Sequence, residues 1–565
     1  MRIDFANRSF THSLLASVVT GGALIFAFPC FDRSEIAWVA LIPLAIVALR
    51  NGPMASAVWG YVSGAVFFLG SLYWLIHVTL VGWIVLSLFL ALYFAFWGWF
   101  VSAVNIRLGP VAVITNLRRN LLLAFLASCG WVCAEIVRTH LFTGFPWNLL
   151  GVSQYRNLPL IQFTTVTGVY GVSWLICFIN MCLALTALRL KSEFYTARDR
   201  SYKPHFELTL ALIVVVVVML LGFRSVGNLG TDAKGWHKLD VALVQPNIPQ
   251  TEKWDEKSNE IIYDRFAKLT EGAIHTKPDL IVWPETATPE PLEYDAKAFA
   301  IITNAVKRSG AYLLTGSMAV TRNTPRSQSD PNSTDRVWYN SAYVVSPKGE
   351  LQGPYNKQHL VPFGEFIPFE KKLPFMKFTT PIPGSFGRGR EHTLFELRDA
   401  VNMFPPAKLG VVICFEDVFP DVFRRFVLKG AQLMVNVTND AWYKESAGAY
   451  QHMALSVFRA VENRVYFVRC ANTGYSCFIE PTGRIKAHIT GGEKERIFVQ
   501  GFRTERVSIR PATEAQTFYT KHGDAFAWTC FGIAMAAMLA SIKKLRALRR
   551  FEKAQAAGTS APVAP

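Results

Sequence analysis

The feature that most constrains this chain is a set of long apolar runs, nearly free of charge, that lie mostly in its first half. A helix needs about 20 mostly apolar residues to cross the hydrocarbon core of a bilayer. Seven runs near that length precede Gly230, and an eighth lies close to the C-terminus. They are residues 13–28, 36–49, 55–76, 81–104, 121–137, 165–188, 208–223 and 525–542. A buried core helix would explain one such run, but eight of them predict a multi-pass α-helical membrane domain.

Hydrophobic residues are unevenly distributed, and this divides the chain. The sequence is 51% hydrophobic, but the stretch after Gly230 reads as an ordinary soluble mixture. We predict seven transmembrane helices with short loops in residues 1–230, a soluble domain in 231–510, a return segment and eighth helix in 511–545, and a disordered tail in 546–565. The runs at 36–49 and 208–223 are short enough to be tilted or re-entrant.

Lysine and arginine in the loops predict the orientation of the helices. The basic loops contain Arg2, Arg8, Arg50, Arg107, Arg118, Arg119, residues 189–203 and the tail from Lys543 to Lys553, whereas the alternate short loops hold only Arg33, Arg138 and Arg156. Because basic residues at helix ends stay preferentially in the cytoplasm, both termini are predicted to be cytoplasmic and the soluble domain periplasmic. Much of the net charge of +17 lies in these loops, so it indicates membrane anchoring rather than nucleic-acid binding.

The nine cysteines include no CxxC pair, so no metal site is predicted. Six fall in or beside the apolar runs, where cysteine behaves as a small hydrophobic residue. Cys414 stands out in the soluble domain because strand-like residues precede it and two acids follow it in "GVVICFED". Taken alone, a thiol in such a pattern is more often a buried small residue than a nucleophile.

Strand-like and helix-like patterns alternate in the soluble domain. β-Branched and aromatic runs recur in "LDVALVQPN", "DLIVWPE", "AYLLTGSMAV", "WYNSAYVVSPKG", "LGVVICFED", "LMVNVTND" and "RVYFVRCANTGYSCFIEP". Helical patterns lie between several of them, as in residues 255–273 and 450–463. The pattern predicts an α/β domain, in which sites collect at the carboxyl ends of strands.

Three segments of this domain resemble a known superfamily. "VWPETATPEP" (282–291), "YNKQHLVPFGEFIPF" (355–369) and "GVVICFEDVFP" (410–420) look like the Glu, Lys and Cys segments of the nitrilase superfamily, in that order. The nitrilase-like part runs from about Leu239 to Arg503, and the resemblance implies an αββα sandwich. With the membrane segments, "GFPWN" and "GVYGVSW", the chain resembles one membrane-anchored branch, the bacterial apolipoprotein N-acyltransferases.

The residues of these motifs have complementary chemistry. A thiol with a pKa of ~8.5 is only slightly ionised at neutral pH, and the acids after Cys414 oppose thiolate formation. As a nucleophile, Cys414 therefore needs a cation and a separate base. Lys357 can favour the thiolate and stabilise an oxyanion, while Glu285 takes and returns the proton. A helix opening directly after Cys414, in "DVFPDVFRRFV", would add backbone N–H donors.

Four further residues are expected to support this triad. The resemblance implies that Glu365 orients Lys357, although Glu365 also suits a plain salt bridge. Glu416 matches the family pattern, whereas Phe415 stands where the family often has Tyr, so only ring packing remains there. Trp254 matches a tryptophan at the family's active site, but an aromatic residue there would equally cap the core.

Two histidines and one apolar segment complete the candidates. His359 and His452 have the chemistry of a base for Cys414, but neither serves as one in the family, so a structural role is expected. Residues 366–386, "FIPFEKKLPFMKFTTPIPGSF", suit either a loop that covers the sheet or a mobile arm that meets the bilayer.

The resemblance implies a specific reaction at the bacterial inner membrane. An acyl chain passes from a membrane phospholipid to Cys414 as a thioester, and then to the N-terminal amine of diacylglyceryl-cysteine in a lipoprotein. Ping-pong kinetics and no cofactor are implied. A membrane-tethered amidase for small amides, a transporter and an inactive binding domain are the alternatives. The scarcity of charge in the apolar runs, Glu135 being the main exception, disfavours a transporter.

Overall fold

The computed structural model describes residues 8–109, 116–196, 206–232, 235–322, 336–368, 385–398, 406–492 and 495–556. The chain divides into two compact units. One combines Met1–Arg224 with Asp524–Pro565 and is helical, and the other, Ser225–Gly523, is an α/β unit.

Both units contain helices, whereas the strands of the described residues all lie in the α/β unit. In chain order, the helices are α1 Arg8–Phe26, α2 Ala37–Ala40, α3 Ile42–Arg50, α4 Pro53–Ser71, α5 Leu80–Arg107, α6 Leu117–His140, α7 Leu158–Ile161, α8 Thr164–Thr167, α9 Val169–Thr196, α10 Phe206–Asp232, α11 Asn259–Ile274, α12 Ala296–Ser309, α13 Pro420–Leu428, α14 Ala447–Asn463, α15 Phe518–His522 and α16 Ala525–Ala556. The strands are β1 His237–Gln245, β2 Leu280–Val282, β3 Tyr312–Arg322, β4 Arg336–Val345, β5 Leu351–Asn356, β6 Leu394–Leu397, β7 Ala407–Ile413, β8 Leu433–Thr438, β9 Tyr466–Ala471, β10 Cys477–Ile479, β11 Ile485–His488 and β12 Gly501–Ile509.

Among the described residues, seven helices are long and apolar enough to cross a membrane: α1, α4, α5, α6, α9, α10 and α16. The remaining apolar run, 36–49, folds instead as the short helices α2 and α3. Pro43 lies in the first turn of α3, and it has no N–H to continue the hydrogen-bond ladder of α2. Asn180 Oδ1 accepts a bond from the free N–H of Leu41 at the break. The run is therefore a broken segment, as its short length suggested.

Close helix contacts in this unit depend on small residues. Gly60 on α4 lies against α5, and a Cβ at this position would come within 2.3 Å of the Phe94 carbonyl oxygen. Gly98 on α5 makes the reciprocal contact with the Ser56 carbonyl. Small residues let two backbones approach in a bilayer, where helix association depends on packing rather than on the hydrophobic effect.

Helix α16 extends further than the sequence indicated. Residues 546–556, predicted to belong to a disordered tail, continue this helix to Ala556. The stretch is rich in Arg and Ala, which are strong helix formers. Residues 557–565, the rest of the predicted tail, lie outside the described residues.

The α/β unit contains two six-stranded sheets, with strand orders β12-β1-β2-β3-β4-β5 and β11-β10-β9-β8-β7-β6. All seven strand-like runs of the sequence form strands, and the two helical patterns form α11 and α14. Strands β1, β2 and β3 are parallel in one sheet, and β7, β8 and β9 are parallel in the other. The chain turns that follow β2 and β7 carry Glu285 and Cys414, which places both residues beyond carboxyl ends of parallel strands.

Candidate active site

Glu285 is positioned by close packing around the end of β2. Trp283 stacks on Phe266 of α11, with 4.4 Å between ring centroids, and this fixes the chain two residues before Glu285. Gly316 on β3 touches the Glu285 backbone, and a Cβ at position 316 would come within 2.7 Å of Glu285 Cα. Only glycine permits this approach. The glutamate itself is 6% exposed, so its charge is largely shielded from water.

Lys357 follows β5 and is 1% exposed. Its Nζ donates to Glu365 Oε1 at 2.8 Å and lies 3.6 Å from Glu285 Oε1. Burial alone would lower the pKa of Lys357, but the charges of Glu365 and Glu285 outweigh it, and the net shift is upward. Lys357 is therefore an ammonium ion at neutral pH, held between two carboxylates.

Asn340 on β4 joins these two carboxylates, and the sequence analysis missed it. Its Nδ2 donates to Glu285 Oε1 at 2.7 Å and to Glu365 Oε1 at 2.9 Å. Its Oδ1 is buried and has no hydrogen-bond partner among the described residues. The available signal was a carboxamide inside the otherwise strand-forming run "WYNSAYVV".

Cys414 begins a tight turn rather than an α-helix. Its φ is +51°, and a single 3₁₀ turn covers Cys414–Val418 before α13 begins at Pro420. The expected helix N-terminus directly after the cysteine is therefore wrong. Proline favours the first position of a helix, so "FP" fixes the start of α13 further along the chain. Asn436 Nδ2 holds the turn by donating to the Cys414 carbonyl at 3.1 Å.

The thiol of Cys414 is 9% exposed and is surrounded by charge. Burial and the negative charge of Glu285 raise its pKa, and the ammonium of Lys357 offsets only part of this rise. The thiol is therefore protonated at neutral pH. Lys357 acts on the thiolate in the favourable direction, as expected from the sequence, but it is not sufficient to form a thiolate without a base.

Glu416 connects the Cys414 turn to the Lys357 loop. It is fully buried and accepts bonds from the N–H groups of Gln358 (2.6 Å), His359 (3.1 Å) and Ile413 (2.8 Å), and from the Tyr355 hydroxyl (2.9 Å). Burial raises its pKa to about 6, and the backbone donors limit that rise. An ionised Glu416 thus ties the segments that carry Cys414 and Lys357 to one another.

Of the aromatic candidates, Phe415 lies in this turn. Phe415 packs on Phe419 with 5.1 Å between ring centroids, and His359 stacks on Phe419 at 3.5 Å. Trp254 is 57% exposed, so its ring does not close the core as a buried cap would. The neighbouring Lys253 is buried instead, and its Nζ donates to the Glu285 carbonyl oxygen at 2.8 Å. The sequence analysis missed Lys253.

A second buried cluster of charge, which we call the Arg469 cluster, contains Asp417, Asp440, His452 and Arg469. Arg469 contacts Asp417 Oδ2 at 2.7 Å and Asp440 Oδ2 at 3.0 Å. His452 lies between the same acids, with Nε2 2.7 Å from Asp417 and Nδ1 2.9 Å from Asp440. Both ring nitrogens of His452 are thus occupied by carboxylates.

The pKa values of Asp440 and His452 are both shifted by their partners in this cluster. Burial raises the pKa of Asp440, but Arg469 and His452 outweigh it and lower the pKa to about 2. Burial and Arg469 oppose the charged form of His452, but the two carboxylates reverse this, and its pKa is raised overall. The cluster ties the Cys414 turn to β9, to α14 and to the residues that follow β8 through two carboxylates, one guanidinium and one imidazole.

The last two expectations from the sequence concern metal binding and the apolar segment 366–386. No group of three or more His, Cys, Asp or Glu side chains within the described ranges has the arrangement to hold a metal ion. Of the segment 366–386, residues 369–384 lie outside the described residues, so the arm proposed for it stays a prediction.

Comparison with known proteins agrees with this architecture. The family model for the apolipoprotein N-acyltransferase N-terminal domain matches residues 20–182, and that for carbon-nitrogen hydrolases matches residues 240–504. An apolipoprotein N-acyltransferase of Geobacter metallireducens is 35% identical over 94% of this chain and 95% of its own length.

Two further relatives with the same name extend this likeness. That of Brucella suis biovar 1 is 32% identical over 83% of this chain and 86% of its own length. That of Chlorobaculum tepidum is 31% identical over 92% of this chain and 94% of its own length. The chain therefore belongs to the apolipoprotein N-acyltransferase family.

Proposed function

We propose that this acyltransferase carries an acyl chain from a membrane phospholipid to the N-terminal amine of diacylglyceryl-cysteine in a lipoprotein, through a thioester on Cys414. The observation that carries the proposal is the buried pair of Glu285 and Lys357, 3.6 Å apart, whose charges both act on the Cys414 thiol. A base, a cation and a nucleophile in one shielded site are the groups that covalent acyl transfer requires.

The first half-reaction forms the thioester. As Cys414 Sγ attacks the ester carbonyl carbon, its proton moves to the Glu285 carboxylate, because the raised pKa keeps the resting thiol protonated. The negative charge on the carbonyl oxygen is stabilised by the Lys357 ammonium. Collapse of this intermediate breaks the bond to the glycerol oxygen, which takes the proton from Glu285 and leaves as a lysophospholipid.

The second half-reaction regenerates the thiol. The neutral α-amine of the lipoprotein attacks the thioester carbonyl, and Lys357 again stabilises the oxyanion. Glu285 accepts the proton that the nitrogen loses. Collapse breaks the carbon–sulfur bond, and Glu285 returns a proton to Cys414, which leaves an N-acylated lipoprotein and the starting enzyme.

Supporting roles are proposed for residues around the three reacting groups. Glu365 orients Lys357 through their 2.8 Å contact, and Glu416 holds the Cys414 turn against the Lys357 loop. Phe415 keeps the turn packed, and the exposed ring of Trp254 contacts substrate. A catalytic domain on the periplasmic side, with both termini in the cytoplasm, is proposed from the loop charges.

An amidase for small amides would use the same three groups, so chemistry at Cys414 alone does not exclude it. The family membership favours acyl transfer, since the likeness extends through both the helical and the hydrolase-like parts of the chain. An amidase has no use for seven helices that are able to cross a membrane.

Two-substrate kinetics test the proposal. Initial rates are measured with the detergent-solubilised protein while phospholipid and a diacylated lipopeptide are varied. Parallel double-reciprocal lines, with lysophospholipid released before acceptor is added, are expected for a covalent acyl-enzyme. Intersecting lines, or release of lysophospholipid only in the presence of acceptor, would exclude the thioester.

Protease accessibility in spheroplasts tests which side of the membrane the α/β unit lies on. We expect the α/β unit to be cleaved by protease added from outside.

A further inference from the structure

Lys253 is a buried cation that the proposed reaction leaves without a role. It lies in the connection between β1 and α11, and its side chain is 7% exposed, whereas Trp254 beside it is 57% exposed. Its Nζ donates to the carbonyl oxygen of Glu285 at 2.8 Å. The ammonium group therefore lies against the backbone of the residue that takes the proton from Cys414.

The charge of Lys253 is not balanced by a carboxylate. Among the residues that the structure describes, no carboxylate oxygen lies within 4.0 Å of its Nζ, whereas Lys357 meets both Glu365 and Glu285. An ammonium has three N–H donors, and the one described bond uses one of them. A buried lysine without a paired anion is rare in proteins because removing its charge from water is costly.

The surroundings place Lys253 close to the reacting groups. Burial lowers its pKa to about 8, and the negative charges of Glu285 and of an ionised Cys414 act in the opposite direction. Lys253 and Glu285 also line one small cavity, together with Thr288 and Asn472. An anion that entered this cavity would meet free N–H donors near the thiol.

We propose that the Lys253 ammonium binds the phosphodiester of the acyl donor and so makes the site selective for a phospholipid over an uncharged glycerolipid. The inference rests on the proposed function. Of the two substrates, the donor carries the obligate negative charge, because the acceptor brings an amine. Only the short glycerol backbone separates the phosphodiester from the ester, so a phosphate at Lys253 leaves the ester carbonyl near Cys414. Ion-paired hydrogen bonds to phosphate oxygens are stronger than neutral ones.

Lys253 has one competing explanation, which is that it only fixes the Glu285 backbone. The two roles differ in what they affect. A backbone clamp acts equally on two donors that share the same ester and the same glycerol oxygen as leaving group, because both need Glu285 to accept and return the proton. A phosphate ligand acts only on donors that carry a phosphate.

The test compares two donors on one preparation. Cys414 acylation is followed for wild type, Lys253→Met and Lys253→Arg with dioleoylphosphatidylglycerol and with the uncharged glycerolipid dioleoylglycerol. The measured quantity is the ratio of the two kcat/KM values, in which any loss of folded protein cancels. Lys257→Met, at an exposed position four residues away, is the matched control for loss of one positive charge.

The ratio should fall about tenfold or more in Lys253→Met and recover in Lys253→Arg, as expected for one charge-assisted bond to phosphate. A ratio that stays at the wild-type value, whether or not both rates fall, would overturn the inference. Inorganic phosphate forms a separate arm: if the ratio is unchanged and phosphate inhibits the dioleoylglycerol reaction of wild type but not of Lys253→Met, the site binds free phosphate instead of the donor. If wild type takes no acyl group from either donor, the proposed function itself fails, and this result is distinct from the others.

Discussion

Two clusters of buried charge act on Cys414, and they are built differently. In the Arg469 cluster, each of two carboxylates contacts both Arg469 and His452. In the other, which we call the Glu285 cluster, the single ammonium of Lys357 serves both Glu285 and Glu365. The first cluster is balanced within itself, and the second is not.

The difference indicates how buried charge divides between structure and chemistry. A balanced cluster gains its full electrostatic stabilisation in the folded chain and has little to gain from a substrate. An unbalanced cluster keeps donors and a base available for charges that appear during a reaction. We therefore expect substitutions in the Glu285 cluster to reduce rate more than stability, and substitutions in the Arg469 cluster to do the reverse.

Glu285→Gln gives the largest expected effect on rate. The amide keeps the shape of the side chain but cannot accept the thiol proton, so acylation should slow by about 10²- to 10⁴-fold. The rate constant of Cys414 acylation is measured together with the thermal unfolding midpoint, with the exposed Glu290→Gln as control. An unfolding midpoint that falls in parallel with the rate would remove the contrast between the clusters.

Arg469→Met gives the largest expected effect on stability. It leaves Asp417 and Asp440 buried with only His452 between them, which should cost about 3–5 kcal/mol of unfolding free energy. Arg506→Met is the matched control, because that arginine pairs with Asp240 at an exposed position, where solvent screens the ion pair, and its loss should change stability much less. If both variants unfold like wild type, the Arg469 cluster is not a structural support.

Asn340→Ala tests whether Asn340 in the Glu285 cluster positions Glu285 or binds substrate. Removing the amide takes one hydrogen bond from each of two buried carboxylates, and bonds to charged groups contribute about 1.5–3 kcal/mol. We expect the acylation rate to fall about 10- to 100-fold, with the same substrate KM, since the amide positions Glu285 rather than substrate. A change in KM alone would assign Asn340 to substrate binding.

The pH dependence of stability gives the smallest expected effect. The pKa of Asp440 falls from its ordinary value near 3.8 to about 2 in the folded protein, which corresponds to about 2 kcal/mol. This stability is present above pH ~4 and is lost as pH falls toward 2. His452 acts oppositely, because its raised pKa gives stability at low pH that is lost as pH rises through the folded-state value.

Asp440→Asn isolates this contribution. Its unfolding free energy should be lower than that of wild type at pH 6, and the difference should shrink between pH 4 and pH 2.5. Denaturant unfolding at several pH values measures it. A difference that stays constant over this range would mean that the ionised carboxylate of Asp440 does not carry the stabilisation.

The sequence predicted the parts of the fold that depend on local pattern. Apolar run length identified the long helices, and the seven strand-like runs identified strands β1 to β4 and β7 to β10. Two helix boundaries were not predicted: the break between α2 and α3, and the start of α13 at Pro420 rather than directly after Cys414. Each boundary is marked by a proline, Pro43 or Pro420, that the sequence analysis did not take into account. In both cases a missing N–H decides where a helix begins.

The sequence did not predict the residues that depend on strand pairing and on loop packing. Asn340 meets Glu285 and Glu365 because β4 pairs with β3 and β5 in one register, and no local pattern shows this register. Lys253 resembles any exposed lysine in "EKWDEK" until the folded chain buries it against Glu285. Residues that belong to a motif can be identified in the sequence. Residues on other strands and loops that hold the motif residues in place cannot.

The most direct test of covalent catalysis at Cys414 is intact-protein mass spectrometry of the purified protein after incubation with phospholipid and no acceptor, beside Cys414→Ala. We predict an added mass of one acyl chain on the wild type only. A diacylated lipopeptide should then remove this mass and gain the same chain. Folded wild-type protein that forms N-acylated lipopeptide without ever carrying an acyl group would contradict the thioester on Cys414.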